Sequence, residues 1–519
     1  MPPSLLRSTA VVGAMTLLSR VLGFLRDVIL ARVFGADGTT DAFFLVFKIP
    51  NFLRRLFAEG AFSQAFVPVF TEYKEKRSPA ELRDLLDHVA GTLGGVLLVV
   101  TLIGVIAAPA LVMLFGPGFA DEPQRFTLAE EMLRLTFPYL LFVSLTALSA
   151  GILNSYDRFA LPAFTPVVLN LCLIAAALWL APKMAVPVEA LAWGVLAAGA
   201  LQLLIQLPGL ARLRLLPRPR WGWRHPGVRK VTKLMIPALF GSSVAQINLL
   251  LDTVIASLLV AGSISWLYYS DRLVELPLGL LGIALATVIL PHLSRHHAGE
   301  DQRRFHATLD WALRWAMLVG LPATLGLLVL AGPILATLFY GERFDHHDLE
   351  MARMSLMAYA LGLPAFMLVK ILAPGYYARQ DTRTPVRIGI IAMVANMGLN
   401  LLYVLPWVWS DTPGPHTALA LATASSSWLN AALLYRGLRR DGHLRHQGGW
   451  GGLILRLGLA NGVMLALLIG LTPELTAWTA VPTLTRAGWL LGLILLGAGA
   501  YFAVLAAGGL RPRHLRAPS

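Results

Sequence analysis

Between Ser8 and Tyr73 the chain is apolar enough to enter a bilayer, yet it carries Arg20, Arg26, Asp27, Arg32, Asp41, Lys48, Arg54, Arg55 and Glu59. An ionisable group at the centre of a spanning helix costs at least ~2.5–3.5 kcal/mol on insertion scales, so several together require a wet cavity or internal partners. At roughly 100° of rotation per residue, Asp41, Lys48, Arg55 and Glu59 fall within about 40° of one another on one helix, with some phase error at Pro50. Arg20 and Asp27 share a face of the helix before it, with Ser19 and Gly23 alongside. The pattern predicts two helices lining a polar, net positive cavity inside a membrane.

A second group lies in SISWLYYSDRLVELPLGLLGIA, where Tyr268, Arg272, Glu275, Gly279 and Gly282 follow helical spacing. Two readings of these charges are open. In one they are internal ion pairs, Arg55 with Glu59, Arg272 with Glu275 or Asp271, and Arg26 with Asp27, since neighbours at i,i+3 and i,i+4 are geometrically ready. In the other the excess matters: Arg20, Arg26, Lys48, Arg54, Arg55 and Arg272 outnumber Asp41, Glu59 and Glu275. Surplus guanidinium groups in a low-dielectric cavity suit a bulky anion, above all a phosphate or diphosphate held by forked hydrogen bonds.

The elements that must position these groups follow from composition. The 519 residues are 56% hydrophobic and 14% charged, with a mean hydropathy of +0.66, which describes a polytopic membrane protein and excludes a soluble core. Taking ~20 apolar residues per span, about fourteen spans are expected. They cover 9–34, 39–73, 86–115, 127–153, 159–181, 187–210, 230–259, 264–294, 306–339, 350–376, 384–406, 415–437, 451–471 and 486–509. The first is read as a retained span, because arginines stand at its mid-depth and no small-residue cleavage site follows a short apolar core.

The formal charge of +14 lies mostly in alternate loops, with eight Lys and Arg in 212–233 alone, while the opposite loops carry only Arg125, Lys183, Arg343 and Arg486. The positive-inside rule therefore places both termini in the cytoplasm, and the basic linker is expected to touch anionic lipid headgroups rather than nucleic acid. Asp27 and Asp252 are 225 residues apart, and Gly151 and Gly375, like Asp157 and Asp381, are 224 apart. This near-constant offset predicts six spans repeated once, related by an axis along the membrane normal. The expected organisation is a lobe over 1–211, a linker over 212–229, a second lobe over 230–440, and two further helices within 441–519.

Asp252 sits mid-span among leucines, as a structural partner or a coupling-ion ligand. With Asn396 and Asn400, which share a face, and Thr423, it offers oxygen ligands to a hard cation such as sodium. His292 and His296 read as a solvated face, and Asp345 to Asp348 as an acidic loop. Cys172 is the one cysteine and lies in an apolar run, so it is read as a buried thiol outside any disulfide. No phosphate-binding glycine loop, HExxH or nucleophile elbow is present, so neither a hydrolase nor an ATPase is expected.

The stretches SRVLGFLRD (19–27), TDAFFLVFKIPNFLRRLFAEGAFSQAFVP (40–68), YYSDRLVELPLGLLGIALATVILPHLS (268–294) and APGYYARQDTRTPV (373–386) resemble the MurJ (MviN-type) family of lipid II flippases. That family sits within the superfamily of multidrug, oligosaccharidyl-lipid and polysaccharide exporters. The resemblance implies fourteen helices, two six-helix lobes around a cation-lined cavity, and a last helix pair forming a groove for a lipid tail. It implies that Arg20, Arg26, Asp41, Arg54, Arg55, Glu59, Arg272 and Glu275 are the positions on which flipping depends, that Ser19 and Ser265 face the cavity, and that Asn400 offers a neutral ligand where some members place an acid for sodium. The implied activity is passage of undecaprenyl-diphosphate-linked disaccharide peptide to the outer leaflet for peptidoglycan synthesis. Alternating access, no covalent chemistry, a coupling cation (Na+ or H+) or the membrane potential, and cell-wall synthesis or division proteins as candidate partners go with it.

Arg26→Ala and Arg272→Ala are then expected to stop transport with folding intact. A multidrug or other lipid-linked oligosaccharide exporter is the alternative, but cavities for organic cations are expected to be acidic or aromatic. A polyprenyl-phosphate glycosyltransferase would need a substantial outward loop, and the outward loops here are short.

Overall fold

The computed structural model describes residues 3–55, 62–298 and 302–511, with side chains described from residue 11 except 237–246, 280–292 and 294–298. Among the described residues every regular element is helical. The first part of the chain forms α1 (Pro3–Phe34), α2 (Gly38–Arg54), α3 (Ser63–Lys76), α4 (Pro79–Ile106), α5 (Ala108–Phe115), α6 (Pro123–Thr136), α7 (Tyr139–Ser155), α8 (Ala160–Ala175), α9 (Glu189–Leu204), α10 (Leu207–Arg212) and α11 (Pro226–Ser257). The second part forms α12 (Ser263–Ala298), α13 (Gln302–Leu338), α14 (His346–Tyr377), α15 (Arg383–Trp409), α16 (His416–Arg440), α17 (Trp450–Leu471), α18 (Leu475–Ala480) and α19 (Thr483–Ala507).

Ten of the described helical stretches are long and apolar enough to cross a membrane, and each coincides with an expected span. Several spans are made of two consecutive helices rather than one. Pro109, Pro138 and Pro208 stand at these junctions, α4 to α5, α6 to α7 and α9 to α10, where a missing N–H and a fixed φ interrupt the hydrogen-bond ladder.

By packing, the chain divides into two compact units, 1–265 and 266–519. In the first, α1 lies on α8, α2 on α6, and α7 and α8 on α9. Phe66 and Phe70 of α3, Leu85 and Leu86 of α4, Ile152 of α7 and Val228 of α11 form one buried cluster. Residues 226–257 belong to this unit, although the repeat assigns 230 onward to the second lobe, because α11 packs along α3, α4 and α5. Lys230 also pairs with Glu72 of α3.

The segment before α11 is laid on α4. Asp87 accepts from the backbone N–H of Arg218 at 2.6 Å through its carboxylate and of Arg220 at 2.9 Å through its carbonyl, and Thr92 Oγ1 accepts from Gly222 N–H at 3.1 Å.

In the second unit α14 packs on α13 and α16, α15 packs on α16, and α17 and α19 pair with each other against α13. Apolar side chains gain little from leaving lipid for a helix contact, so association depends on close approach at small residues. A Cβ on Gly362 of α14 would lie 2.9 Å from Ala424 of α16.

The repeat is visible in the helix ends. After α7, Asp157 has φ 58°, with Arg158 N–H bonded to Leu153 O; after α14, Gln380 has φ 61°, with Asp381 N–H bonded to Tyr376 O. After α10 and α16 the same cap recurs, with Arg214 at φ 57° and Gly442 at φ 73°. These are left-handed C′ caps that satisfy the last carbonyls. They pair Asp157 with Gln380, one residue off the Asp157 and Asp381 match of the sequence repeat.

Candidate functional site

On α1, Leu30, Ala31 and Asp27 face the protein while Arg20 is exposed and Ser19 is half-buried. Arg26 is buried. Its Nε and Nη2 donate to Asp27 Oδ1 at 2.9 and 2.6 Å, and its Nη1 donates to Asn170 Oδ1 of α8 at 3.0 Å. Asn170 Nδ2 in turn donates to the carbonyl of Ser19 at 3.0 Å, passing beside Gly23. A buried pair of this kind loses about 3–5 kcal/mol when one partner is removed, because the other is left as an uncompensated charge. The expectation that Arg26→Ala leaves folding intact is therefore revised: Arg26 is a strut between α1 and α8.

Helix α2 opens with Asp37 as its N-cap, whose carboxylate accepts from the N–H of Thr39 and Thr40, both at 2.9 Å. One turn on, Asp41 is fully buried. Its Oδ1 accepts from Ser265 N–H at 2.8 Å and Ser265 Oγ at 2.6 Å, and its Oδ2 accepts from Gly262 N–H at 2.8 Å and Arg125 Nη2 at 2.9 Å. Gly262 and Ser265 bracket the first residues of α12, so the carboxylate sits where the N–H groups and dipole of a helix favour negative charge.

Arg125 of α6 is buried too. It donates to Gly38 O and Glu122 Oε1 at 3.1 and 3.2 Å and stacks 3.9 Å above the Phe119 ring. Asp41 thus closes a junction of α2, α6 and the start of α12, and Ser265 is buried within that junction rather than presented to open space.

Further along α2, Lys48 donates to Thr253 Oγ1 of α11 at 2.9 Å. Arg54 Nε donates to Asn51 Oδ1 at 3.1 Å, and Arg55 is exposed. Glu59 lies outside the described residues. In the second unit Arg272 of α12 pairs with Glu275 at 2.7 Å and stacks 5.0 Å from Tyr268. Both partners are accessible, at 32% and 51% side-chain exposure, so this pair contributes little to the fold.

Of the cation-site residues, Asp252 of α11 belongs to the first unit, whereas Asn396 and Asn400 of α15 and Thr423 of α16 are in the second. Asn396 Oδ1 accepts from Ser426 Oγ at 3.2 Å, and Thr423 donates its hydroxyl to Leu419 O at 3.0 Å. The α15 and α16 set supplies neutral oxygens and no charge.

Asp84, His88 and His225 also converge. Their bonding favours a cap over a metal: His225 Nδ1 accepts from Gly227 N–H at 3.1 Å, so its Nε2 carries the proton and faces Asp84 Oδ2 at 3.3 Å.

The sequence pattern described as "Lipid II flippase MurJ" matches residues 30–487. A Vibrio cholerae protein described as "Probable lipid II flippase MurJ" is 50% identical over 99% of this chain and 98% of its own length. The chain belongs to the MurJ family. A Burkholderia cenocepacia relative described as "Lipid II flippase MurJ" is 41% identical over 99% of both chains. Among solved structures, "Lipid II flippase MurJ, inward closed conformation" superposes with a TM-score of 0.78 at 26% identity, covering 95% of this chain and 97% of that one. A multidrug resistance MATE family transporter in an inward-facing conformation superposes at 0.68 over 84% of this chain and 98% of that one, with 11% identity, which is a likeness of fold alone.

As a MurJ family member the protein is a multi-pass membrane transporter and not an enzyme. Three of the residues that hold its charged groups escaped the sequence reading. Arg125 was counted with the outer loops, Asn170 is a single polar residue in an apolar run, and Thr253 stands behind the more conspicuous Asp252. The available signal was that a lone arginine among Asp121, Glu122, Glu130 and Glu131 stands three residues from an acid.

Proposed function

We propose that this protein moves lipid II, the undecaprenyl-diphosphate-linked disaccharide pentapeptide, from the inner to the outer leaflet of the bacterial cytoplasmic membrane by alternating access. The observation that carries the reading is full-length membership of a family whose relatives bear that description, at 50% identity across 99% of the chain. The chemistry of the chain supports it. Arg20, Lys48, Arg54 and Arg55 stand on α1 and α2, and Arg272 stands on α12 in an accessible position. Guanidinium groups in such places bind a diphosphate through paired N–H donors.

Both termini are proposed to be cytoplasmic, from the distribution of Lys and Arg. With the inside negative, outward movement of net negative charge is favoured by ~2.3 kcal/mol per elementary charge per 100 mV. Sodium or proton coupling, and contact with cell-wall synthesis or division proteins, remain proposals of the same kind. The test is depletion of the protein followed by leaflet-specific detection of lipid II. Accumulation in the inner leaflet is the expected result, and unchanged arrival outside would end the proposal.

A further inference from the structure

Away from these residues, the second unit contains a groove of about 640 Å³ lined by α13, α14, α16 and the start of α17. Leu313, Leu372, Ala432 and Ile454 form its apolar walls, and Tyr435 and His446 stand at one end. That end is built. Asp310 of α13, buried, accepts from Trp450 Nε1 at 2.7 Å, His446 Nδ1 at 3.1 Å and Arg314 Nε at 2.8 Å. With its Nδ1 proton committed to Asp310, His446 accepts at Nε2 from the Tyr435 hydroxyl at 2.6 Å. Tyr435 oxygen then faces Arg439, whose Nη1 is 3.5 Å away and whose guanidinium lies 6.0 Å from the ring centre.

Arg439 is exposed, and Arg436, Arg440 and Arg445 flank it in sequence; of the nearby acids, Asp441 pairs with Arg440 at 3.2 Å and the buried Asp310 is already bonded to Arg314. A hydrocarbon trough that ends in a fixed tyrosine and exposed guanidinium groups is complementary to an amphiphile with a chain and a single anionic head. Helix-packed basic pockets of this kind are known lipid-headgroup sites.

We propose that this groove is a binding site for an anionic phospholipid, with one acyl chain along Leu313, Leu372 and Ile454 and its phosphate on Arg439 beside Tyr435. Among the described residues α19 lines none of this groove, whereas α17 lends Trp450 and Ile454, so the site shares only α17 with a tail groove formed by α17 and α19. The charged network through Asp310 holds the headgroup end in place while the lipid exchanges.

The experiment is native mass spectrometry of delipidated full-length protein titrated with phosphatidylglycerol or with phosphatidylcholine. The wild type is expected to retain one phosphatidylglycerol in preference to phosphatidylcholine. Arg439→Gln is expected to weaken phosphatidylglycerol about tenfold, the loss of one charge-assisted contact, and to leave phosphatidylcholine unchanged. Ala432→Trp, which fills the trough, is expected to weaken both lipids. Equal retention of the two lipids by the wild type, or wild-type retention of phosphatidylglycerol by Arg439→Gln, overturns the proposal. So does preferential capture of undecaprenyl phosphate over phosphatidylglycerol at this site, which would place a polyprenyl chain there instead.

Discussion

Asp41 and Arg125, 84 residues apart in sequence, form a buried ion pair at 2.9 Å whose carboxylate also accepts two backbone N–H groups from the start of α12. The four bonds to this carboxylate come from donors on α6 and at the start of α12, so the contact is specific in direction as well as charge.

Asp41→Asn is expected to destabilise the detergent-solubilised protein by up to about 3–5 kcal/mol, since it removes the buried counter-charge of Arg125 and leaves only the half-exposed Glu122 to oppose it. Ser265→Ala removes one hydroxyl donor and leaves the Ser265 and Gly262 N–H groups in place, so about 0.5–1.5 kcal/mol is expected. Thermal unfolding followed by intrinsic fluorescence ranks the two. An Asp41→Asn protein as stable as Ser265→Ala would show that the pair is not the main closure.

The strut from α1 to α8 separates two roles that a transport assay alone confuses. Asn170→Leu removes the amide oxygen that accepts from Arg26 Nη1 and is expected to cost about 1–3 kcal/mol, whereas Asp27→Asn removes the carboxylate paired with the buried guanidinium and is expected to cost about 3–5 kcal/mol. Loss of complementation by Arg26→Ala therefore has to be read beside its melting temperature. If Asn170→Leu melts like the wild type, the amide is a bystander.

Arg272 is the cleaner probe. Its pair with Glu275 is solvent-accessible and of the kind worth at most about 1 kcal/mol, so Glu275→Gln is expected to melt within a few degrees of the wild type, and Arg272→Ala is expected to fail to support growth after depletion of the native protein. Growth at the wild-type rate would remove Arg272 from the transport machinery.

The spans were legible because twenty apolar residues in a row have few other fates, and the paired αL caps at Asp157 and Gln380 carry the repeat into the backbone. The partners of the charges were not. The helical period puts Asp41, Lys48 and Arg55 on one stripe, yet Asp41 turns to Arg125 and Ser265 and Lys48 to Thr253. Helical periodicity says which residues share a face and is silent on what that face meets. Asn170 illustrates the limit further, since one amide in an apolar run gives no sign of the arginine 144 residues earlier that it holds.

Gly91 of α4 makes a prediction about the basic linker. A Cβ there would overlap the backbone N, C and O of Arg220, so the segment lies flat on the helix only because the position has no side chain. Gly91→Ala is expected to lift residues 218–223, releasing the bonds from Arg220 N–H and Arg218 N–H to Asp87 and from Gly222 N–H to Thr92. Trypsin reads this directly, because Arg220 and Arg224 are not followed by proline whereas Arg218 is. Gly91→Ala should be cut at Arg220 several-fold faster than the wild type, since cleavage follows the population of the opened segment. Gly389→Ala on α15, where a Cβ meets nothing within 4 Å, should be cut at the wild-type rate. Equal rates for Gly91→Ala and the wild type would mean that the linker is held by its bonds to Asp87 and Thr92 alone and tolerates the displacement.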